Sequence, residues 1–318
     1  MLKSLHIKNY RGFKALDLEG LKRTNIIVGQ NNTGKTALLE ALALLLWDPP
    51  QNCGGLPNLF RTTGGNWDEN FWKWLFHNKT LTTPVEIRAK FEDLPEFGIW
   101  VGTGSATPQG AIHPTNVTIG TGKLFTLGGR ENALLKPSVF STRPTDPRQD
   151  AIDYNRVVLR RQKKRVEKLL KTIEPKLETI ETLQTGDTPL LYADVGLSEM
   201  LPVTQMGQGF NRLLDIYSEL VAADAKVLLI DEIENGLHHS ALATIWEGLF
   251  LAGAEVGVQT FATTHSLECI RAAHEAMSRQ PQYDLAVIQL FRVPEGIQGR
   301  VLDRKHIEAA MAGEIDLR

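Results

Sequence analysis

Cysteine is scarce: only Cys53 and Cys269 occur in 318 residues. Neither belongs to a group with metal-ligand spacing, and nothing in their placement suggests a disulfide framework. Long apolar runs are missing too. The longest, Ala41 to Trp47, is far too short to span a bilayer. The opening Met1-Leu2-Lys3-Ser4-Leu5-His6 lacks the apolar core of a signal peptide. Nor is one sign of charge in excess, since 35 basic and 37 acidic side chains leave a formal net charge of −2. That balance gives no global argument for nucleic-acid binding, so any such site must be a local patch. No internal repeat is visible. These absences lead to the expectation of a soluble cytosolic protein with no membrane contact. A hydrophobic content of 42% supports a well-buried core rather than disorder, in one large domain or two ordinary ones.

What is present centres on Gly29-Gln30-Asn31-Asn32-Thr33-Gly34-Lys35-Thr36. An apolar run, Asn25-Ile26-Ile27-Val28, precedes it and reads as a buried strand; Ala37 to Leu42 follows and reads as a helix. This is the strand–GxxxxGK[ST]–helix context of a phosphate-binding P-loop. Gly29 and Gly34 permit the tight turn, so the N–H groups of Asn31, Asn32, Thr33 and their neighbours can surround a phosphate. The helix beginning near Gly34 adds its positive N-terminal dipole. Lys35 is expected to reach the β- and γ-phosphates, and the Thr36 hydroxyl to ligate Mg²⁺. The reading is a chain that binds a nucleoside triphosphate.

Taken in order, Leu2 to Asn9 alternates as a strand, a second strand lies near Ala15–Leu18, and Tyr10-Arg11-Gly12 turns between them. On physics alone Arg11 is an exposed hairpin arginine, with a place beside the nucleotide as the alternative. Pro49-Pro50 stops the P-loop helix, and a loop through Gly54-Gly55 and Gly64-Gly65 follows. Trp67, Phe71, Trp74 and Leu75 fall at helical spacing; packing against the body is the plain reading, base stacking the sharper one. Thr82 to Glu92 reads as a strand.

From 94 to 150 helical periodicity vanishes, and Val117–Ile119 and Lys123–Phe125 suggest hairpins in an inserted, irregular arm. From Ala151 to Gln184 the chain reads as helical, with Val157, Val158, Val166, Leu169, Leu170 and Ile173 for an apolar face. The opposite face is basic, and Arg160, Arg161, Lys163 and Lys164 are its candidates for contact with a DNA backbone. A solvated helix face explains the same residues without any partner.

The body resumes near Pro189. Gly207-Gln208-Gly209 then feeds a helix to about Ala222, and Lys226 to Ile230 forms a strand ending in Asp231-Glu232. Ligands bind at such carboxyl ends in open α/β sheets. Asp231 suits the Mg²⁺ shell, and Glu232 suits polarisation of an attacking water. A further strand, Gly257 to Thr264, ends at His265, for which a γ-phosphate contact is the favoured reading. Leu285–Leu290, Gly299–Leu302 and a helix over 304–312 look like a sheet edge and a closing helix.

Together Gly29–Thr36, Gly207–Leu214, Val227–His238 and Thr263–Ser266 resemble the ABC-type ATPases of the SMC, RecF and OLD group. Ile230-Asp231-Glu232-Ile233-Glu234-Asn235-Gly236-Leu237-His238 and Thr263-Thr264-His265-Ser266 look like the OLD branch, also called AAA-type ABC ATPases. The likeness covers 1–93 and 189–318, with 94–188 as an insertion made of the arm 94–150 and a basic helical lobe 151–184. It implies an α/β fold: an ABC-type P-loop head with a mixed, largely parallel central sheet and antiparallel strands at the N-terminus.

The resemblance also implies a homodimer closed around ATP and Mg²⁺, each nucleotide held by one copy's P-loop and the other's signature turn at Gly207 and Gly209. Glu232 is then the catalytic base, His265 the switch residue and Arg11 a nucleotide contact. Two departures stand out. Gly207 occupies the place where the group usually has a serine, and no Q-loop glutamine is legible near the end of the Thr82–Glu92 strand. About fifty residues follow His265, without an Asp-x-Asp cluster, too few for the TOPRIM nuclease of full-length OLD proteins. The expectation is a stand-alone ATPase acting on DNA or a separate effector protein, in bacterial defence or genome maintenance. A stable ATP-bound sensor is the alternative.

Overall fold

A computed structural model describes residues 1–46, 71–94, 96–103, 114–119, 122–127, 137–142, 146–186, 188–222 and 225–313. Cys53, Trp67, the Pro49-Pro50 stop and the glycine pairs after it lie outside the described residues. Two six-stranded sheets and a three-stranded one carry the described chain.

The first sheet is antiparallel. It begins with β1 (Leu2–Tyr10) and β2 (Phe13–Glu19), whose alternating burial matches a sheet with one covered face. The order is β2-β1-β4-β5-β7-β6, with β4 (Val85–Phe91), β5 (Phe97–Thr103), β6 (Pro114–Ile119) and β7 (Gly122–Leu127). The second sheet runs β15-β14-β3-β13-β12-β8. Here β3 (Thr24–Val28), β8 (Pro137–Phe140), β12 (Val227–Ile230), β13 (Gln259–Thr263) and β14 (Leu285–Val293) are parallel, and β15 (Gly296–Leu302) is antiparallel to β14. Strands β3, β12 and β13 are buried at every position, as the continuous apolar runs of a doubly covered parallel sheet require.

Helix α1 (Lys35–Leu46) lies between the two sheets, with eleven of its twelve residues buried. Its Ala/Leu face is apolar all round, which only a helix enclosed on every side can be. Beyond the P-loop residues Lys35 and Thr36 in its first turn, the exception is Glu40, 1% exposed and paired with Arg11 Nε at 2.5 Å. A buried carboxylate is tolerable only with such a partner.

On the far face of the parallel sheet, α4 (Gln208–Ala222), α5 (Leu242–Val256) and α6 (Leu267–Ser278) close a second core around Tyr217 and Trp246. Against α4 pack α2 (Pro147–Leu159) and α3 (Lys163–Leu170), beside the three-stranded sheet of β9 (Thr179–Thr185), β10 (Thr188–Asp194) and β11 (Leu201–Pro202). Helix α7 (Arg304–Met311) closes the described chain, capped by Asp303.

The architecture is the expected α/β head with a parallel-rich sheet and antiparallel N-terminal strands. Several local expectations fail. Residues 97–103 extend the antiparallel sheet, 114–119 and 122–127 join it as the expected hairpin, and 137–140 edge the parallel one, so the stretch expected as an irregular arm feeds strands into both. The helical reading of 151–184 ends early: Pro175 stops it, and Thr179-Ile180-Glu181-Thr182 alternates into β9. Val158, expected inside, is 42% exposed. Phe71–Leu75 forms a 3₁₀ turn rather than an α-helix, burying Leu75 and leaving Trp74 out.

The basic face is also thinner than its residue count. Lys163 bonds Glu181 at 2.5 Å, Arg156 pairs with Asp153 and Glu219, and Arg165 pairs with Glu255. Arg160, Arg161 and Lys164 remain exposed.

Candidate nucleotide site

The P-loop follows β3 and leads into α1. Gly29 sits at φ +146°, and a Cβ there would stand 2.3 Å from the Leu290 carbonyl oxygen of β14. Gly34 sits at φ +88° against the Phe13 ring. Both positions admit only glycine. Asn32 takes the left-handed region at φ 60°, which asparagine tolerates better than most residues. The Thr33 hydroxyl donates to the Gln30 carbonyl at 2.8 Å, locking the loop from within. Lys35 Nζ donates to the Gly29 and Gln30 carbonyls at 2.7 and 2.9 Å. Burial lowers its pKa from the ordinary lysine value, against the opposing pull of Asp231, Glu232 and Glu234.

Opposite stand the acids. The Thr36 hydroxyl lies 3.4 and 3.3 Å from the two Asp231 carboxylate oxygens, and Thr263 Oγ1 donates to Asp231 Oδ1 at 2.7 Å. A hydroxyl and a carboxylate facing each other are hard oxygen ligands. Among the described residues no three His, Cys, Asp or Glu cluster as a metal cage. Two protein oxygens completed by phosphates and water are the donor set Mg²⁺ takes, so Thr36 and Asp231 fit that ion.

Glu232 has φ 48°, a strained value for a non-glycine residue. Its N–H donates to Thr263 Oγ1 at 2.7 Å, and its carboxylate lies 3.9 Å from His265 Nε2. His265 in turn is fixed by its own N–H, which donates to Glu234 at 2.8 Å. Both side chains are more than two-fifths exposed, free to meet a ligand.

The signature turn lies to one side. Gly207 and Gly209 do not line the cavity over the P-loop. Gly209 instead packs on Gly236 of the loop after Glu232: a Cβ on Gly209 would meet the Gly236 oxygen at 2.3 Å. Gly207 has open space around it.

Arg11, Asn31, Asn32, Gly34, Lys35, Thr36 and His265 line a single cavity of about 1100 Å³. Arg11 is no exposed hairpin residue: its side chain is 10% exposed and held by Glu40. Burial opposes its charge, but Tyr10 and Glu40 outweigh that and raise its pKa.

The strand beside β12 is β8, not the Thr82–Glu92 strand, which belongs to the antiparallel sheet. The position next to Asp231 is thus Ser141, just after Phe140, whose carbonyl accepts from Asp231 N–H at 2.8 Å.

Sequence reasoning missed Arg212. From α4 it donates to the carbonyls of Asp231, Glu232 (3.1 Å) and Ser141 (3.0 Å), and burial depresses its pKa. Its only signal was an arginine in the first turns after a glycine-rich loop. Arg292 was missed as well; it donates to the Asn32 carbonyl at 2.7 Å and ties β14 to the P-loop.

A P-loop facing an acid pair across a parallel sheet defines a nucleoside-triphosphatase fold of the ABC type. Residues 1–188 match the family model described as an AAA ATPase domain, more than half of the chain, and the protein belongs to that family. Residues 134–271 match a second model, described as "AAA domain, putative AbiEii toxin, Type IV TA system". A Helicobacter pylori protein named ATP/GTP phosphatase is 24% identical over 326 residues, covering 85% of this chain and 86% of its own length. RecF from an Exiguobacterium species is 43% identical over 44 residues, 14% of this chain and 12% of RecF. Among solved structures, an SMC head bound to the C-winged helix domain of ScpA superposes with a TM-score of 0.62 at 12% identity, covering 98% of this chain and 99% of that one. By family the chain is an AAA ATPase, and its fold is that of an SMC head, the ABC-type architecture.

Proposed function

We propose that the protein binds ATP with Mg²⁺ at the P-loop, hydrolyses it between two copies of itself, and acts as a switch on DNA or a partner effector. The observation that carries this is the meeting of Thr36 with Asp231 and of Glu232 with His265 at one end of the parallel sheet. Lys35 exchanges its two loop carbonyls for phosphate oxygens, which satisfy the same donors with full charge. Thr36 and Asp231 would hold Mg²⁺, whose charge would offset that of the phosphates. Glu232 accepts a proton from the attacking water, and His265 contacts the γ-phosphate.

Gly207, exposed and away from the chain's own P-loop cavity, is open to a second copy's nucleotide, while Gly209, buried on Gly236, shapes the turn that would present it. The motif around Glu232 and His265 supports the OLD branch, and with it a cytoplasmic role in defence or genome maintenance. The SMC head named above is bound to a ScpA domain, and a protein partner is proposed here by that likeness. DNA contact would fall to Arg160, Arg161 and Lys164 of the α2–α3 lobe, which we place with 94–188 as the inserted part of one ATPase domain.

A second reading, a stable ATP-bound sensor, is favoured by Gly207, which offers no side-chain hydroxyl to a γ-phosphate. Steady-state ATP hydrolysis separates the two. The switch predicts measurable turnover that falls by about 10²–10⁴-fold in Glu232→Gln with ATP binding kept. Equal rates in the two proteins would reject Glu232 as the base; absent turnover with tight ATP binding in both would favour the sensor.

A further inference from the structure

The phosphate loop occupies only one end of the cavity. The other walls are Trp74, His77 and Asn78 of the 3₁₀ segment and the β14–β15 turn around Val293 and Pro294. Trp74 is 55% exposed, whereas Trp246 is 1% exposed in the core. An indole more than half exposed on a cavity wall is a large apolar surface that a flat ligand can cover. Lys79 Nζ stands 3.7 Å from its ring centroid, and buried Phe76 lies two residues on.

The polar groups on this wall have assigned roles. His77 Nδ1 lies 2.9 Å from the Arg11 carbonyl oxygen, which can only accept, so Nδ1 carries the proton. His77 Nε2 is then an acceptor, and Asn78 Nδ2 donates to it at 3.2 Å. The exposed Asn78 amide keeps its oxygen and one N–H for a ligand. That pair matches the amino group and N7 on the edge of adenine; guanine presents two acceptors there.

We propose that this chamber takes the adenine base of the nucleotide, stacked on Trp74, with Asn78 hydrogen-bonding its edge. The inference rests on the reading that the P-loop holds the triphosphate. It gives the 71–79 segment a task that neither core packing nor phosphate binding covers.

The test compares a non-hydrolysable ATP analogue, its GTP counterpart and inorganic tripolyphosphate in calorimetric titrations of the full chain with Mg²⁺. Trp74→Ala should weaken the ATP analogue between about fivefold and a hundredfold, the range of base–aromatic stacking, and leave tripolyphosphate unchanged. Trp74→Phe should recover most of that loss. Asn78→Ala should narrow the preference for the ATP analogue over the GTP analogue. Unchanged analogue binding in Trp74→Ala, or an equal loss for tripolyphosphate, would overturn the proposal. Lys35→Ala checks the underlying reading: it should weaken tripolyphosphate, and if it does not, the phosphate assignment fails along with the base site.

Discussion

Replacing Gly209 by alanine should separate two loops that the fold holds together. The new Cβ would stand 2.3 Å from the Gly236 carbonyl oxygen, 3.0 Å from its carbon and 2.9 Å from Leu237 Cδ2. The first two are backbone atoms, and they cannot turn aside as a flexible side chain can. Gly236 itself is held at φ +76° in a turn closed by Asn235 N–H to the Glu232 carbonyl at 2.9 Å and Leu237 N–H to the Glu234 carbonyl at 3.0 Å. Relief therefore needs a backbone shift of about 1 Å, and such overpacking costs about 1–3 kcal/mol. For a chain of this size that is a fall in melting temperature of about 2–6 °C.

The displaced loop also carries Glu232, and misplacing a catalytic group by about 1 Å can cost about a hundredfold in rate. Thermal unfolding and initial-rate ATP hydrolysis at saturating ATP read the two effects. Gly207→Ser is the control. No atom lies within 4 Å of a Cβ at that position, so its stability should stay within about 0.5 kcal/mol of the parent. A Gly209→Ala protein that melts and turns over like the parent would refute the packing argument.

Other expectations follow from the same contacts. Arg212→Met leaves three carbonyls at the acid pair without their donor and should cost about 2–4 kcal/mol in urea unfolding. Arg212→Lys should recover little, because an ammonium cannot span them as the guanidinium does. Breaking the Arg11–Glu40 pair by Arg11→Met or Glu40→Leu alone should cost about 3–5 kcal/mol, and the double variant markedly less than the sum; additive losses would show the pair to be unimportant. Burial pushes the Cys269 thiol up to about 12. The native state then holds a proton that the unfolded state releases above about pH 9, so Cys269 contributes stability that is lost as pH rises from there. Cys269→Ala should flatten that alkaline decline in denaturant titrations.

The P-loop and the Asp231-Glu232 strand were legible because their chemistry depends on local backbone: glycines at positive φ, a lysine and a hydroxyl in the first turn, and acids at the end of an apolar run. The hairpin of β6 and β7 was legible too, but the strands at 97–103 and 137–140 were not. Pro137-Ser138-Val139-Phe140 is too short for a period, and it becomes a strand only because β12 offers it an open edge far away in sequence. The same non-locality hid the place beside Asp231, now at Ser141, and the Gly209–Gly236 contact. Thr179 to Gln184, most of β9, falls in the helical reading because the basic residues before it keep helical spacing; its own threonines and the Gly186 turn carried the strand signal. Arg11 could not be placed either way until Glu40, on a buried helix, supplied its partner.

The central claim is that ATP joins two copies through Glu232-bearing sites. Its most direct test is light scattering on Glu232→Gln with ATP and Mg²⁺, conditions under which the closed state cannot discharge itself. The account predicts a rise from one chain of 35.4 kDa to twice that mass, reversed by Lys35→Ala. A mass that stays at one chain while calorimetry shows ATP bound would contradict it.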